Sequence, residues 1–467
     1  MTEPTLQAVT DTAAPAWKPQ IAAIVCNWCT YAGADMAGTT RREYPASVRL
    51  LRVPCSGRVN PLFILKSFEQ GADGVLVSGC HPGDCHYVQG NYFARRRFAA
   101  FRSLLNFLGL DPRRVHFSWI SASEGIKWAR VVGDVTRAVT EAGPLTDWGR
   151  AASPAQVTLP EPSAPRPQPA TAELEAVTGH LRELAASLLR EGKVAVVLGW
   201  TPGPIPGQTI PAFIQRPEDT ATLVFGTHNH ADLAAYLAGP RRVQGKVAVL
   251  VKACDARAAT TLLAEGQLVR EDVILVGVSC PGMWRDDRLA YRCHSCDGEV
   301  GALCDFTVSA TGVQPGAVPT GAKRATGPDP RDLQIAHLES LLPAQRWAFW
   351  QEQFADCVRC YACRAVCPMC YCGSCISEQH RPQWIPTSID GRGNTAWNLV
   401  RAYHLSGRCV GCDECERVCP ANIRLDLINR RLALELEQRF DYHAGTDPEG
   451  APPLATFRPD DPQEFIV

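Results

Sequence analysis

The chain contains no apolar run of the roughly 20 residues that a membrane-spanning helix requires. Its first residues, MTEPTLQAVTDTAAP, lack the basic region and apolar stretch of a secretory signal. Its net charge is only −1, with 47 Lys and Arg against 48 Asp and Glu, so a general attraction to nucleic acid or to an anionic membrane is not expected. These absences predict a cytoplasmic protein with no membrane span and no nucleic-acid partner.

Cysteine, in contrast, is abundant, with 21 among 467 residues. The cysteines occur in short-spaced groups. In a long chain without a secretory signal, such grouping indicates metal binding rather than disulfides. Thiolates that hold iron must stay reduced, which agrees with a cytoplasmic location.

Two cysteine runs near the C-terminus share the spacing C-x2-C-x2-C-x3-C-P: CVRCYACRAVCP (357–368) and CVGCDECERVCP (409–420). This is the spacing of a bacterial two-cluster ferredoxin, in which the fourth cysteine of each run ligates the other cluster. The runs therefore predict electron transfer through two [4Fe–4S] clusters. The predicted ligand sets are Cys357, Cys360, Cys363 and Cys419 for one cluster, and Cys409, Cys412, Cys415 and Cys367 for the other.

The remaining sequence predicts an α/β protein of about three domains. Apolar, β-rich runs alternate with helical patterns in two regions, which is typical of parallel sheets. The Pro- and Ala-rich segment between these regions is interpreted as a semi-extended linker or a surface strap. The predicted divisions are an N-terminal tail at 1–19, an α/β unit at 20–148, the linker at 149–171, a second α/β unit at 172–330, a dicluster ferredoxin module at 331–440 and a C-terminal tail at 441–467.

Five cysteines in the first unit are expected to meet at one site. Cys26, Cys55 and Cys80 each lie at the end of a predicted strand, and carboxyl ends of parallel strands share one edge of a sheet. Cys29 and Cys85 follow closely. Four of the five would hold a [2Fe–2S] cluster, and which one is not a ligand stays open. A thioredoxin-type dithiol and scattered core cysteines are the alternatives.

The segments CNWCTYAGAD, RVPCSGRV and SGCHPGDCHYVQGNYFARRR resemble the delta subunit of methyl-viologen-reducing hydrogenase, also called the hydrogenase iron–sulfur subunit. The resemblance covers roughly residues 1–140. It implies a [2Fe–2S] protein that docks onto a heterodisulfide-reductase-like flavoprotein and passes electrons to it. His81 and His86 are interpreted as surface or hydrogen-bonding residues beside the site. The run Arg95–Arg97 is interpreted as a solvated helix face or, alternatively, as a docking patch for an acidic partner.

The segments KACDARAATTLLAEGQLVREDVILVGVSCPGMW and RCHSCDGEVGALCDF resemble the flavoprotein-type beta subunits of formate dehydrogenase and coenzyme F420-reducing hydrogenase. This resemblance continues into the C-terminal cysteine runs. Family members bind FAD, but no GxGxxG follows a strand here, so FAD stays open. Cys254 is interpreted as a structural thiol. The cysteines expected to hold a third [4Fe–4S] cluster or, alternatively, zinc are Cys280, Cys293, Cys296 and Cys304.

Three further cysteines, Cys370, Cys372 and Cys375, lie outside both ferredoxin runs in PMCYCGSC. Unligated thiols so close together would be reactive, which favours a further cluster completed by a distant thiol such as Cys254. Zinc or free thiols are the alternatives.

Together these patterns predict an iron–sulfur electron-transfer subunit of a multi-subunit redox complex. The resemblances imply electron exchange between a hydrogenase, formate dehydrogenase or NADH-oxidising subunit and a heterodisulfide-reductase-like flavin subunit, in an arrangement that allows electron bifurcation. The ferredoxin runs are expected at the opposite end of the electron path from the [2Fe–2S] domain. The alternatives are an FAD-containing oxidoreductase subunit that takes hydride from F420 or NADH, and a zinc-braced scaffold. Whether the chain is itself an enzyme stays open.

Overall fold

A computed structural model describes residues 17–150, 157–161, 168–285, 288–296, 298, 300–301, 303–317 and 328–467. The chain is a mixed α/β protein with two main sheets and a helical C-terminal part. Three predicted segments lie partly outside the described residues: the N-terminal tail at 1–16, the linker at 151–156 and 162–167, and the second α/β unit chiefly at its end, 318–327. No described helix is long and apolar enough to cross a membrane.

The N-terminal sheet consists of four parallel strands in the order β2-β1-β3-β4, which confirms the predicted parallel sheet. The central strands β1 and β3 are buried along their whole length. Two helices pack on each face, α1 and α4 on one and α2 and α3 on the other. The elements are β1 (Ile21–Cys26), α1 (Cys29–Thr39), β2 (Val48–Val53), α2 (Pro61–Glu69), β3 (Gly74–Gly79), α3 (Gly90–Leu108), β4 (Val115–Trp119) and α4 (Gly125–Ala142).

The middle sheet has six strands in the order β12-β11-β8-β7-β5-β6. Its inner strands are parallel, and an antiparallel strand closes each edge. A short hairpin of β9 and β10 follows β8. The elements are α5 (Thr171–Arg190), β5 (Val196–Pro202), β6 (Thr209–Ile214), β7 (Val247–Val251), α6 (Ala253–Ala264), β8 (Val273–Val278), β9 (Trp284–Arg285), β10 (Arg288–Leu289), β11 (Phe306–Ser309) and β12 (Gly312–Pro315).

The C-terminal part is helical, and its two cysteine runs have the same backbone path. Tyr361 and Asp413 occupy equivalent positions in the two runs, and both have positive φ angles, 59° and 54°. Each precedes a short helix that carries the third cysteine of its run. The helices are α7 (Pro330–Ser340), α8 (Pro343–Ala355), α9 (Ala362–Ala365), α10 (Gly391–His404), α11 (Glu414–Arg417) and α12 (Leu425–Phe440).

This helical part lies between the two sheets. On one side, Phe101 of α3 contacts Tyr403 of α10, with ring centroids 5.6 Å apart, in a core that the N-terminal unit shares with α8, α10 and α12. On the other side, Arg408 donates to Glu265 Oε1 of the middle unit at 2.6 Å. The helical part that carries the ferredoxin runs therefore contacts both units, and the expected order of the electron path stays a prediction.

The C-terminal segment crosses back over the N-terminal unit and covers the arginine run of α3. Arg96 donates to Asp461 Oδ1 at 2.8 Å, and Arg95 donates to the Pro459 carbonyl at 3.2 Å. Both arginines are buried. The run is therefore neither a solvated helix face nor an open docking patch, because residues far along the same chain cover it.

One described stretch of the predicted linker, residues 157–161, lies against the neighbouring units. Val157 and Leu159 pack on the core that contains α7 and α8, and the Pro160 carbonyl accepts a hydrogen bond from Gln334 at 2.8 Å. These contacts favour the surface-strap alternative for this stretch.

Candidate metal centres

All five N-terminal cysteines meet at the carboxyl edge of the first sheet. Cys26 ends β1 and Cys80 directly follows β3, so the sulfur atoms of these neighbouring strands lie 3.6 Å apart. Cys55 follows β2 and pairs with Cys85, also at 3.6 Å between sulfur atoms. These four thiols are buried. Cys29 is half-buried, with its sulfur 3.9 Å from the Asp84 carbonyl oxygen.

Helix α3 begins directly against these thiols. A Cβ atom on Gly90 would collide with Cys55 Sγ and would lie 3.4 Å from Cys85 Sγ, so only glycine allows this approach. The amino end of a helix also favours negative charge nearby. The site therefore fits a group that is held by thiolates.

Hydrogen bonds at this edge already favour one thiolate. The hydrogen bond from Cys80 lowers the pKa of Cys26 to about 5, although burial opposes the shift. The Thr30 amide also donates to Cys26 Sγ, at 3.3 Å. The pKa of Cys80 is raised, because its hydrogen bond to Cys26 and its burial both favour the thiol. A deprotonated sulfur, the form that binds metal, is thus stabilised here.

The two histidines beside this site have partners of their own. His81 Nε2 lies 2.7 Å from Glu124 Oε2, and His86 stacks on Trp28 with ring centroids 3.7 Å apart. Both contacts agree with supporting roles rather than ligation.

The structure brings together both crossed cysteine sets of the C-terminal part. One small cavity is lined by the first three cysteines of one run and the last cysteine of the other, and a second cavity is lined by the converse set. The first set comprises Cys357, Cys360, Cys363 and Cys419, and the second comprises Cys409, Cys412, Cys415 and Cys367.

A buried arginine, Arg401 of α10, lies between these two sets. It donates to the Cys363 carbonyl at 2.9 Å, and its Nε atom has no hydrogen-bond partner among the described residues. Burial lowers the pKa of Arg401, but the nearby cysteines, Cys415 first, raise it well above its usual value. This fixed cation stabilises thiolates in both sets.

A cavity of about 380 Å³ in the middle unit collects a different set from the predicted one. Cys280, Cys293 and Cys296 line it as expected, and Cys254 is the fourth cysteine of this unit on its wall. Cys304 does not line it. The Cys304 thiol instead lies 3.1 Å from the Val300 carbonyl and packs beside the sheet.

The topology of the middle sheet explains why Cys254, and not Cys304, lines this cavity. Cys254 and Cys280 come shortly after β7 and β8, so both lie at the carboxyl edge of neighbouring parallel strands. Cys304 precedes β11, which is parallel to β8, and therefore lies towards the opposite, amino edge of the strands. The position of Cys254 shortly after a strand is the signal that identifies it as a candidate ligand. The same strand-end position predicts Cys26 and Cys80 as ligands in the first unit.

Arg292 links this middle cavity to the second ferredoxin set. Its Nη1 atom donates to the Cys412 carbonyl and lies 3.5 Å from Glu414 Oε1. Its Nε and Nη2 atoms have no hydrogen-bond partner within the described ranges. Burial lowers the pKa of Arg292, but Cys254 and Cys293 outweigh it and keep the pKa well above its usual value. Cys409 lines both cavities, which places them side by side.

The three extra cysteines, Cys370, Cys372 and Cys375, line one further cavity of about 160 Å³. Cys254 is not on its wall, so it does not supply the distant thiol that was expected. In the part of the chain that the structure describes, no three His, Cys, Asp or Glu side chains lie close enough together to hold a single metal ion.

Sheet-edge thiols beside further cysteine-lined cavities are typical of iron–sulfur electron-transport proteins. Residues 21–143 match the family described as methyl-viologen-reducing hydrogenase, delta subunit. Through this N-terminal unit the chain belongs to that family, which confirms the resemblance of its first part. The resemblance of the middle and C-terminal parts stays a prediction.

Two kinds of relative share sequence with this chain. An iron-sulfur subunit of the F420-non-reducing hydrogenase of Archaeoglobus profundus is 54% identical over 129 residues, which are 28% of this chain and 94% of the relative. One subunit of the Ferredoxin/F(420)H(2)-dependent CoB-CoM heterodisulfide reductase of Methanosarcina acetivorans is 43% identical over 127 residues, 27% of this chain and 16% of the relative. The shared unit thus forms nearly all of one relative and a small part of the other.

Proposed function

We propose that this chain is the iron–sulfur electron-transfer subunit of a multi-subunit redox complex. It passes electrons between a hydrogenase, formate dehydrogenase or NADH-oxidising subunit and a heterodisulfide-reductase-like flavoprotein. The observation that carries this proposal is the clustering of cysteine-lined cavities, with Cys409 on the walls of two of them and Arg401 on the walls of two.

We assign the sites by the thiols that lie close together in the N-terminal unit and by those that share a cavity wall elsewhere. Cys26, Cys55, Cys80 and Cys85 would hold a [2Fe–2S] cluster, with Cys29 as the additional thiol. The two crossed sets would each hold a [4Fe–4S] cluster. A third would be held by Cys254, Cys280, Cys293 and Cys296, with Cys254 in place of Cys304. Such clusters supply one-electron oxidation and reduction without making or breaking substrate bonds.

The protein's own groups hold these thiolates in place and set their surroundings. Buried Arg292 and Arg401 present cationic N–H groups to the thiol sets from within the core. Burial and hydrogen bonds near sulfur control cluster potential. Helices α10 and α12 pack in the apolar core beside these sets. These features suit electron passage rather than substrate turnover.

The relatives support the partners in this proposal. One is a hydrogenase iron–sulfur subunit that consists almost entirely of the shared unit, and in the other the shared unit is part of a heterodisulfide reductase subunit. We infer that the N-terminal unit of this chain faces a flavoprotein of that type. The middle unit would then face the electron-donating or electron-accepting dehydrogenase, an arrangement suited to electron bifurcation.

A second candidate is an FAD-containing oxidoreductase subunit that takes hydride from F420 or NADH. The middle cavity of about 380 Å³ favours it, because small-molecule sites commonly have volumes of about 300–1,000 Å³. The four middle-unit cysteines on the wall of this cavity favour an iron–sulfur cluster over FAD there.

Anaerobic purification followed by iron, sulfide, zinc and flavin analysis tests these candidates. We expect about two iron atoms from the N-terminal site and about four from each [4Fe–4S] site, with distinct EPR signals after reduction. One FAD per chain would favour the oxidoreductase. Zinc in place of iron in the middle cavity would overturn the cluster assigned there.

A further inference from the structure

A potential fourth ligand lies beside the three extra cysteines. His404, the last residue of α10, lines the same cavity as Cys370, Cys372 and Cys375. The geometry points to an iron–sulfur site formed by these three thiolates and the His404 imidazole. This inference rests on the proposed electron-transfer function and adds a further centre to it.

The cavity has room for a cluster. Its volume of about 160 Å³ exceeds those of the cavities inside the two ferredoxin sets, which measure about 20 Å³ each. The three cysteines lie within six residues of one loop, so that loop can present three thiols to a single centre. The fourth position must come from elsewhere, and α10 supplies His404 at its carboxyl end.

The charges around the cavity fit an anionic group. Arg364, Arg401 and Arg408 all line it. Arg364 is paired with Glu378 and Arg408 with Glu265, so two of these cations are already balanced. Arg401 forms no salt bridge within the described residues. It can therefore balance the negative charge of bound thiolates here as well as in the ferredoxin sets.

The position of the cavity favours a redox centre over a zinc site. Cys370 directly adjoins the ferredoxin ligands, since its amide donates to the Cys367 carbonyl at 3.2 Å. Three cysteines and one histidine also form a common structural zinc site, so chemistry alone does not decide. Zinc next to a cluster would only brace the loop, whereas an iron–sulfur centre beside the ferredoxin set would extend the electron path.

This site differs from the adjoining ferredoxin set in its access to solvent. Cys372 and His404 are exposed, whereas none of the cysteines in the set that contains Cys367 is exposed. Histidine in place of cysteine raises the potential of a cluster, as it does in Rieske centres. A surface centre of raised potential is suited to exchange electrons with an external partner, and the adjoining cluster then connects it to the rest of the chain.

Substitution of His404 tests this assignment by redox titration monitored by EPR. In His404→Cys we expect iron content to stay unchanged and the midpoint potential of one cluster to fall, because a thiolate replaces a neutral imidazole. In His404→Ala we expect that one signal to change or disappear. His380→Ala is the matched control, since His380 is exposed in the same region but does not line the cavity, and it should change nothing.

Two further results separate this inference from the proposed function. Cys372→Ser should remove about four iron atoms and leave the ferredoxin signals in place. If the unsubstituted chain binds no iron at all, the proposed function fails. If the ferredoxin signals are present but His404→Cys shifts no potential, or if Cys372→Ser releases zinc, only the His404 site is overturned.

Discussion

The two main sheets both gather cysteines at their carboxyl edges, yet they enclose them differently. In the first sheet, short loops bring four sulfur atoms into two close pairs, and every contributing residue belongs to the N-terminal unit. In the middle sheet the thiols surround an open cavity of about 380 Å³, and its wall includes Cys409 and Tyr442 of the C-terminal part. The first site lies within one unit, whereas the wall of the second is shared by two units.

This difference agrees with the relatives. The N-terminal unit accounts for 94% of a hydrogenase subunit from Archaeoglobus profundus, so a unit of this kind forms almost a whole chain there. A site shared between units requires the units to stay together. Covalent linkage ensures this by raising their effective concentration.

The largest effect is expected at Cys254, which takes the place of the predicted Cys304 in the ligand set of the middle cavity. Cys254→Ser should remove about four iron atoms, since it takes away one wall ligand. Cys304→Ser is the matched control and should retain them, because its thiol packs beside the sheet. The measurement is iron content with EPR. Iron lost in Cys304→Ser and retained in Cys254→Ser would restore the ligand set predicted from spacing.

The first sheet can be disturbed alone through the start of α3. Gly90→Ala places a methyl group against Cys55 Sγ and should remove about two iron atoms and one EPR signal, with the other signals unchanged. Gly133→Ala in α4 is the control, since a Cβ there meets nothing within 4 Å. Loss of every signal in Gly90→Ala would contradict the independence of this site.

Beneath the thiols, the two sheets also differ in polarity. The first has neutral hydroxyl groups, with Ser118 donating to Ser78 at 2.9 Å. The second has a buried ion pair, with Lys252 Nζ 2.7 Å from Asp255 Oδ2. Lys252→Met leaves the carboxylate buried and unpaired and should lower the free energy of unfolding by about 3–5 kcal/mol.

Urea denaturation measures this change, and Ser78→Ala serves as its counterpart in the first sheet. The serine variant should lose less, about 1–2 kcal/mol, since only neutral hydrogen bonds with Ser118 and Thr30 are removed. Equal losses in the two variants would show that the ionic pair adds no more than the hydroxyl network.

The smallest effect is expected at the rim of the first site, where Glu124 pairs with His81. Burial raises the pKa of Glu124, but the hydrogen bonds with Ser121 and His81 lower it by a larger amount. The pKa of Glu124 therefore lies below its usual 4.5. The pair therefore contributes stability above pH 4.5 that disappears as the pH falls through the folded-state pKa. Glu124→Gln should cost about 0.5 kcal/mol at neutral pH.

Denaturation of Glu124→Gln at neutral and acidic pH checks this sign. The difference from the unsubstituted chain should shrink in acid. Glu141→Gln, an exposed residue at the end of α4, should show no such trend. A difference that grows in acid would contradict the pairing.

Much of this arrangement was predictable where neighbouring residues determine it. Strand-end placement of Cys26, Cys55 and Cys80 predicted the first site because parallel strands share one carboxyl edge. Crossed pairing in the ferredoxin runs followed from their spacing. The place of Cys254 on the cavity wall was not predicted, although its position after a strand offered the signal, and the cover over Arg96 was not predicted because Asp461 is distant in sequence. His404 shows the same limitation, since only the fold of α10 brings it to the cavity.

The return of the C-terminal segment has a consequence for assembly on the ribosome. β4 is an edge strand of the N-terminal sheet, and Ile466 pairs with its Phe117 while the Val467 amide donates to the Phe117 carbonyl at 2.9 Å. Domains generally fold in the order of their synthesis. The nascent N-terminal unit therefore presents an unpaired strand edge, a template for unwanted association, until the residues that cover it have emerged.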